Sequence, residues 1–151
     1  AENTDDVDRM KSILDAVRQI EDKKVWPIHP RTKKKLEDYG FKLDEIPNLQ
    51  VIDPVGYLDM LSLETNARKI VTDSGGVQKE AYFAEVPCVT VRDQTEWVET
   101  LIEDANILTG TDTNKIVDAV KKEVTPSYTP VFGDGKTSEK VLALLKEYSS
   151  K

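Results

Sequence analysis

The segment from Lys69 to Val91 reads KIVTDSGGVQKEAYFAEVPCVTV and has the pattern of a strand, a turn, a helix and a second strand. Its two ends, KIVT and PCVTV, are apolar, and the polar turn DSGG separates the first of them from a stretch of helical composition. A strand that continues through a helix into another strand is the repeating unit of a parallel α/β sheet. The segment therefore predicts one such unit, with the DSGG turn at the carboxyl end of its first strand.

The same alternation of strand and helix extends outward in both directions. Near the start of the chain, apolar residues spaced three and four apart from Val7 to Ile20 mark one face of an amphipathic helix. Short apolar strands that each precede a helix favour a parallel sheet covered on both faces, so the predicted fold class is α/β with a doubly wound sheet. The other strand and helix pairs are KVWPIHP with RTKKKLEDYG, LQVID with GYLDMLSLETNA, PCVTV with TEWVETLIED, and NILTG with DTNKIVDAVKKEV, and a final helix follows FGDGKTS.

Length and composition are those of one ordinary globular domain. The chain has 151 residues, a hydrophobic fraction of 38%, a charged fraction of 32% and a net charge of -7. The negative balance argues against nucleic-acid binding through the overall field, and the basic run from Arg31 to Lys35 has the pattern of a solvated helix face. No apolar run reaches the ~20 residues of a membrane span. A single cysteine, Cys88, excludes an internal disulfide and fits a reducing compartment. Charge, apolar runs and cysteine content together lead us to expect a cytoplasmic protein with no membrane or nucleic-acid partner.

The DSGG turn has the chemistry of an anion site. In an open parallel sheet, ligands bind outside the carboxyl ends of the strands. Gly75 and Gly76 let the backbone approach a ligand closely, and the N–H groups that open the next helix carry the positive end of its dipole. Ser74 adds a hydroxyl donor, and the Glu80 carboxylate can accept hydrogen bonds from two ribose hydroxyls. The set predicts a nucleoside diphosphate site, although a purely structural turn would also use two glycines.

Several motifs, in order, resemble one family over nearly the whole chain. HPRTKKKL, DPVGYLDMLSL, TDSGGVQKEA, VPCVTVRDQTEW and FGDGKTS are similar to the C-terminal half of the non-hydrolysing UDP-N-acetylglucosamine 2-epimerases. The resemblance implies one Rossmann-like half of a glycosyltransferase-B-like enzyme, with residues 1–151 as a single C-terminal UDP-binding domain. The implied partners are a UDP-sugar substrate and an N-terminal catalytic half that this sequence lacks. No cofactor or metal is implied, and the full-length protein is expected to be a homodimer.

The resemblance assigns a nucleotide-binding role to six positions of this sequence. The turn Ser74–Gly76 would hold the diphosphate, and Glu80 would bind the ribose hydroxyls. Val55 would contact the uracil edge through its backbone. Met60 would pack near the nucleotide, at a position where relatives often carry phenylalanine.

Three further positions are expected in a cleft for the substrate or a regulatory ligand. His29 matches a family position near that cleft, although a strand-end histidine without a ligand also fits. Glu2 belongs to the opening AENTDD, which resembles the end of a His-Arg-x-Glu-Asn segment. Trp97 stands in TEWVE where many relatives read TERPE, so a charged contact is replaced. This departure resembles the branch that acts on UDP-2,3-diacetamido-2,3-dideoxyglucuronate, which leaves the sugar open.

The reaction of the family needs groups that this sequence does not contain. UDP-N-acetylglucosamine and UDP-N-acetylmannosamine are interconverted there by elimination and re-addition of UDP, which requires acid and base groups around C2 and C3. In the family those carboxylates belong to the N-terminal half, so no catalytic residue is assigned here and the isolated chain is expected to be inactive. A sheet of order 3-2-1-4-5-6 would also lack its central strand, between VWPIH and KIVTD.

Two other classes of function remain as alternatives. One is a non-enzymatic, flavodoxin-like module that binds a nucleotide, and the other is a sugar-transferring enzyme on the same scaffold. The near-complete match from TDSGGVQKEA to RDQTEW favours the epimerase. If the last helix packs on the other half, as in the family, an apolar face on Val141, Leu142 and Leu145 would form that contact.

Overall fold

A computed structural model describes residues 2–149 and has an α/β architecture. The strands are β1 (Lys24–Pro27), β2 (Leu49–Ile52), β3 (Ile70–Thr72), β4 (Cys88–Thr90) and β5 (Asn106–Leu108). The helices are α1 (Val7–Gln19), α2 (Pro30–Asp38), α3 (Tyr57–Thr65), α4 (Gly75–Phe83), α5 (Thr113–Lys121) and α6 (Thr137–Ser149). Two 3₁₀ segments, Leu43–Glu45 and Val98–Asp104, lie before β2 and β5.

Strand β4 lies between two layers of helices. It pairs in parallel with both β3 and β5. The Val89 side chain is buried in one cluster with Ala16 of α1 and Ile116 of α5. Cys88 points to the opposite face, because side chains alternate along a strand, and is buried in a cluster with Ala81 of α4. The predicted α/β fold with a parallel sheet covered on both faces is confirmed.

The strands form two parallel sheets rather than one. β1 pairs with β2, and a separate sheet has the order β3-β4-β5. No ladder joins β1 to β3 within residues 2–149. Helix α1 packs on both parts, since Leu14 shares a buried cluster with Ile28 just beyond β1, whereas Ala16 shares one with Val89. The sheet is therefore interrupted where the sequence predicts an absent central strand.

The segment TEWVETLIED is not the regular helix that its composition indicates. Val98–Asp104 forms a 3₁₀ segment that is interrupted at Ile102, which is extended, and at Glu103, which has a φ of 51°. The Trp97 N–H donates to Thr95 Oγ1 (3.0 Å), and the Thr100 hydroxyl donates to the Trp97 carbonyl (2.7 Å). These local bonds between side chains and backbone compete with helical ones, which explains why the helix prediction was wrong here.

Helix α6 displays apolar side chains to solvent. Val141, Leu142 and Leu145 are each about half exposed or more. Their exposure agrees with the surface expected from the sequence, and the identity of what covers it stays a prediction. Within residues 2–149, no helix combines the length and the apolar content needed to cross a bilayer.

A buried polar network connects β4 and β5 to α4. The Thr90 hydroxyl donates to Asn106 Oδ1 (2.7 Å). Asn106 Nδ2 in turn donates to Gln78 Oε1 (3.2 Å) and to Thr100 Oγ1 (3.0 Å). All four residues are almost completely buried. Hydrogen-bonded groups in such an interior rigidify their surroundings, so the network fixes α4 relative to the sheet.

We expect Asn106→Ala to destabilise the protein. The substitution leaves buried partners of Asn106 without a hydrogen bond, and each such group costs about 1–3 kcal/mol, so a loss of roughly 2–3 kcal/mol in the free energy of unfolding is expected. Urea denaturation followed by circular dichroism measures it. Asn114→Ala, at an exposed position of α5, is the matched control and should change little. Equal stability of the two variants would contradict the role given to the network.

Candidate nucleotide site

The DSGG turn forms the N-terminus of α4. Ser74 is the N-cap, and its Oγ accepts a hydrogen bond from Val77 N (3.4 Å). The Ser74 N–H donates to Thr72 Oγ1 at the end of β3 (3.0 Å). The N–H groups of Gly75 and Gly76, the first two residues of α4, have no intrahelical acceptor. The turn therefore presents two backbone donors and a helix dipole, which together favour an anion.

The first glycine of the turn lies close to the loop after β4. A Cβ atom at Gly75 would lie 2.7 Å from Glu96 Oε1, at the end of a flexible side chain that can shift, and 3.2 Å from Trp97 Nε1. A Cβ atom at Gly76 would meet only Ser74 Oγ, at 3.7 Å, which is an ordinary contact. The loop after β4 thus covers the start of α4 at Gly75.

A side-chain carboxylate already lies beside the N-terminus of α4. Glu96 Oε1 is the atom nearest to a Gly75 Cβ, and Glu96 Oε2 pairs with Arg92 Nη1 at 3.0 Å. Negative charge is stabilised beside the positive end of a helix dipole, so this position attracts an anion. Glu96 cannot be assigned to the site from the sequence, because it lies some twenty residues from the turn and reaches it through the pairing of β3 with β4.

Glu80 lies partly buried on α4, and a second carboxyl group lies within its electrostatic reach. Glu64 of α3 is 3% exposed, and its Oε1 has no hydrogen-bond partner within residues 2–149. Burial raises the pKa of Glu64, and the negative charge of Glu80 raises it further. Glu64 could not be found from the sequence, because nothing in the pattern of α3 distinguishes a buried glutamate from a solvated one.

The raised pKa of Glu64 predicts a pH dependence of stability. The folded protein holds this proton more tightly than the unfolded chain, whose pKa is near the ordinary 4.5. The contribution to stability is therefore complete below about pH 4.5 and is lost as the pH rises through the raised pKa. We expect Glu64→Gln, which cannot ionise, to lose less thermal stability than the wild type between pH 4.5 and 7. Scanning calorimetry measures the difference, and parallel curves for the two proteins would contradict it.

Three of the predicted site residues lie after the carboxyl ends of β1 and β2: His29, Val55 and Met60. Val55 lies in the loop after β2 and Met60 on α3, and both are half-buried. His29 follows β1, is exposed and caps α2, because its Nδ1 accepts a hydrogen bond from Arg31 N (3.2 Å). The cap gives His29 a structural role that needs no ligand. A contribution of these residues to ligand binding stays a prediction.

Glu2 is connected to the end of β4 through an arginine. Arg9 Nη2 lies 3.4 Å from Glu2 Oε1 and 3.1 Å from Asp93 Oδ2. The neighbouring Asn3 donates from Nδ2 to the carbonyl of Val91 (2.8 Å), which anchors this segment. Within residues 2–149, no hydrogen bond or ion pair connects Glu2 or His29 to the Ser74–Gly76 turn. Of the predicted cleft residues, only Trp97 is in contact distance of the turn.

The fold is of the Rossmann-like type, with the backbone donors of a helix N-terminus at the carboxyl end of strand β3. A family model described as UDP-N-acetylglucosamine 2-epimerase matches residues 1–146. The chain belongs to this family. The resemblance of the sequence motifs to the UDP-N-acetylglucosamine 2-epimerases is thereby confirmed.

Individual relatives support the same assignment. The chain is 47% identical over 150 residues to a UDP-N-acetylglucosamine 2-epimerase homolog of Methanococcus maripaludis, covering 97% of this chain and 42% of the relative. It is 43% identical over 151 residues to the UDP-2,3-diacetamido-2,3-dideoxy-D-glucuronate 2-epimerase of Pseudomonas aeruginosa, covering 96% and 42%. The crystal structure of Methanocaldococcus jannaschii UDP-GlcNAc 2-epimerase in complex with UDP-GlcNAc and UDP matches with a TM-score of 0.84 and 42% identity, over 97% of this chain and 43% of that one. The chain thus spans less than half the length of these relatives.

Proposed function

We propose that residues 1–151 form the C-terminal, UDP-binding half of a UDP-N-acetylglucosamine 2-epimerase, an isomerase. The observation that carries the proposal is the Ser74–Gly76 turn, which opens α4 directly after β3 in a chain of the epimerase family. The backbone N–H groups of the turn bind the diphosphate, and the Glu80 carboxylate accepts hydrogen bonds from the ribose hydroxyls. The uracil lies against the Val55 backbone, with Met60 packed near the nucleotide.

The groups that act on the sugar belong to the other half of the parent protein. Elimination of UDP removes the proton from C2, and re-addition returns a proton to the opposite face of that carbon, so a base and an acid must flank the ring. The interruption between β1 and β3 supports a strand contributed from outside these residues. His29, Glu2 and Trp97 then line the cleft between the halves.

A second substrate is favoured by a specific observation. The chain reads TEWVE and is 43% identical to the Pseudomonas aeruginosa 2-epimerase of UDP-2,3-diacetamido-2,3-dideoxy-D-glucuronate. Competition of each UDP-sugar against UDP bound to the full-length parent protein, whose other half faces the sugar, distinguishes the two substrates. Stronger displacement by the diacetamido sugar would assign the chain to that branch.

The location and the assembly of the parent protein complete the proposal. A cytoplasmic location fits an enzyme that acts on nucleotide sugars, and a homodimer is expected for the full-length protein. The homodimer rests on the family resemblance. The location rests on the resemblance and on Cys88 being the single cysteine of this sequence, which fits a reducing compartment.

Titration calorimetry of the chain with UDP tests the proposed function. We expect saturable binding of UDP at one site and much weaker binding of ADP, which has the same diphosphate and ribose but another base. If UDP produces no heat of binding and protects no residue of the turn in NMR titrations, the proposal is wrong, and the non-enzymatic module that interacts with another partner replaces it.

A further inference from the structure

The indole N–H of Trp97 is a buried donor with no acceptor. Nε1 is shielded from solvent and has no hydrogen-bond partner within residues 2–149. It lies 3.2 Å from the position of a Cβ atom on Gly75, beside the free N–H groups of the α4 N-terminus. Leaving a buried donor unpaired is unfavourable, and buried polar groups in folded proteins are nearly always satisfied. An acceptor that binds at this point would remove the penalty.

The surroundings of Trp97 fix the orientation of its ring. The Lys79 ammonium lies 4.3 Å from the ring centroid, and the Phe132 ring contacts it edge-on with centroids 6.0 Å apart. The backbone N–H of Trp97 donates to Thr95 Oγ1 (3.0 Å). The Thr95 hydroxyl in turn donates to Oε1 of the buried Gln78 (2.6 Å). Because ring and backbone are both held, the indole N–H is directed before any ligand binds.

We propose that the Trp97 indole N–H donates a hydrogen bond to a phosphate oxygen of the bound nucleotide. The inference rests on the proposed function, since it takes the Ser74–Gly76 turn as the diphosphate site. The indole then joins the backbone N–H groups of Gly75 and Gly76 as a third donor to the same group. It binds as a neutral, directional donor at the position where many relatives carry the positive charge of an arginine.

The nearby charges are consistent with this assignment. Lys79 is directed to the aromatic face of Trp97 and Phe132 rather than to the turn. Arg92 is paired with Glu96. In the proposed complex the phosphate takes the place of Glu96 Oε1 beside Gly75 and Trp97. The Glu96 side chain, which is more than half exposed, turns towards Arg92. The phosphate is thus bound chiefly by N–H dipoles, and binding should depend only weakly on salt concentration.

The test compares two tryptophan variants and follows the indole signals of the wild type. Trp97→Phe keeps the ring packing but removes the donor, so the Kd for UDP should rise about tenfold, because hydrogen bonds to charged groups are the strong ones. Trp26→Phe, in β1, is the matched control and should leave the Kd unchanged. The chain has 2 tryptophans, so its two indole N–H resonances are separable by NMR. The Trp97 resonance should move downfield with UDP and with pyrophosphate but not with uridine.

Each possible result of these measurements either supports the role of Trp97 or overturns it. If the wild type binds UDP while its Trp97 indole resonance stays in place, or if Trp97→Phe binds UDP as tightly as the wild type, the inference is overturned and the proposed function stands. A wild type that binds no UDP overturns both. The resonance shift is measured on the unmodified chain, so the test remains decisive even if Trp97→Phe does not fold.

Discussion

Alanine in place of Glu80 should weaken UDP binding about tenfold to a hundredfold. The Glu80 carboxylate is positioned one to two turns into α4, where it can accept hydrogen bonds from two neighbouring ribose hydroxyls. Hydrogen bonds that involve a charged group contribute about 1.5–3 kcal/mol, and each 1.4 kcal/mol changes the Kd tenfold. Titration calorimetry with the wild type and with Glu80→Ala measures the effect directly.

The nucleotide itself provides the most specific control for Glu80. Removing the 2′-hydroxyl should weaken the binding of the wild type, whereas Glu80→Ala should bind UDP and 2′-deoxy-UDP about equally, because its partner is already gone. Glu37→Ala, an exposed glutamate on α2, is the matched protein control and should bind as the wild type does. If Glu80→Ala still discriminated between the two nucleotides, the ribose would be bound by another residue.

The parts of the site that could be predicted from the sequence are those set by neighbouring residues. A serine followed by two glycines after an apolar strand is sufficient to predict an N-cap and a helix N-terminus, and Ser74 caps α4 as that pattern requires. Strands that are apolar almost throughout predict a parallel sheet covered on both faces, and Val89 and Cys88 are buried on opposite faces of β4. The same local pattern puts Glu80 one to two turns into α4, and its contact with the ribose stays a prediction.

The parts that could not be predicted depend on contacts between distant segments. Glu96 and Trp97 reach Gly75 only because β4 pairs with β3, and the regular helix expected after Thr95 is replaced by a 3₁₀ segment because side chains bond its backbone. Glu64 has the same neighbours in sequence that a solvated glutamate would have. Only the packing of α3 makes it a buried carboxyl group.

Incubation of the isolated chain with UDP-N-acetylglucosamine should produce no UDP-N-acetylmannosamine above an enzyme-free control. The Ser74–Gly76 turn, where we propose that the nucleotide binds, lies at an exposed edge, with Ser74 and Gly76 open to solvent. A sugar attached to that nucleotide would project into water instead of lying between an acid and a base. In D₂O, any elimination and re-addition would replace the C2 proton by deuterium, which NMR detects even when little product accumulates.

Three of the carboxylates near the turn have other roles and the fourth, Asp73, is exposed to solvent, which is the physical reason for expecting no turnover. Glu80 is assigned to the ribose, Glu96 is paired with Arg92, and Glu64 is buried. The Methanocaldococcus jannaschii enzyme serves as the positive control under identical conditions. This chain covers 43% of its length. Deuterium at C2 with the isolated chain would mean that a carboxyl group near the turn removes the C2 proton. Asp73→Asn, Glu80→Gln, Glu96→Gln and Glu64→Gln would then identify which one does.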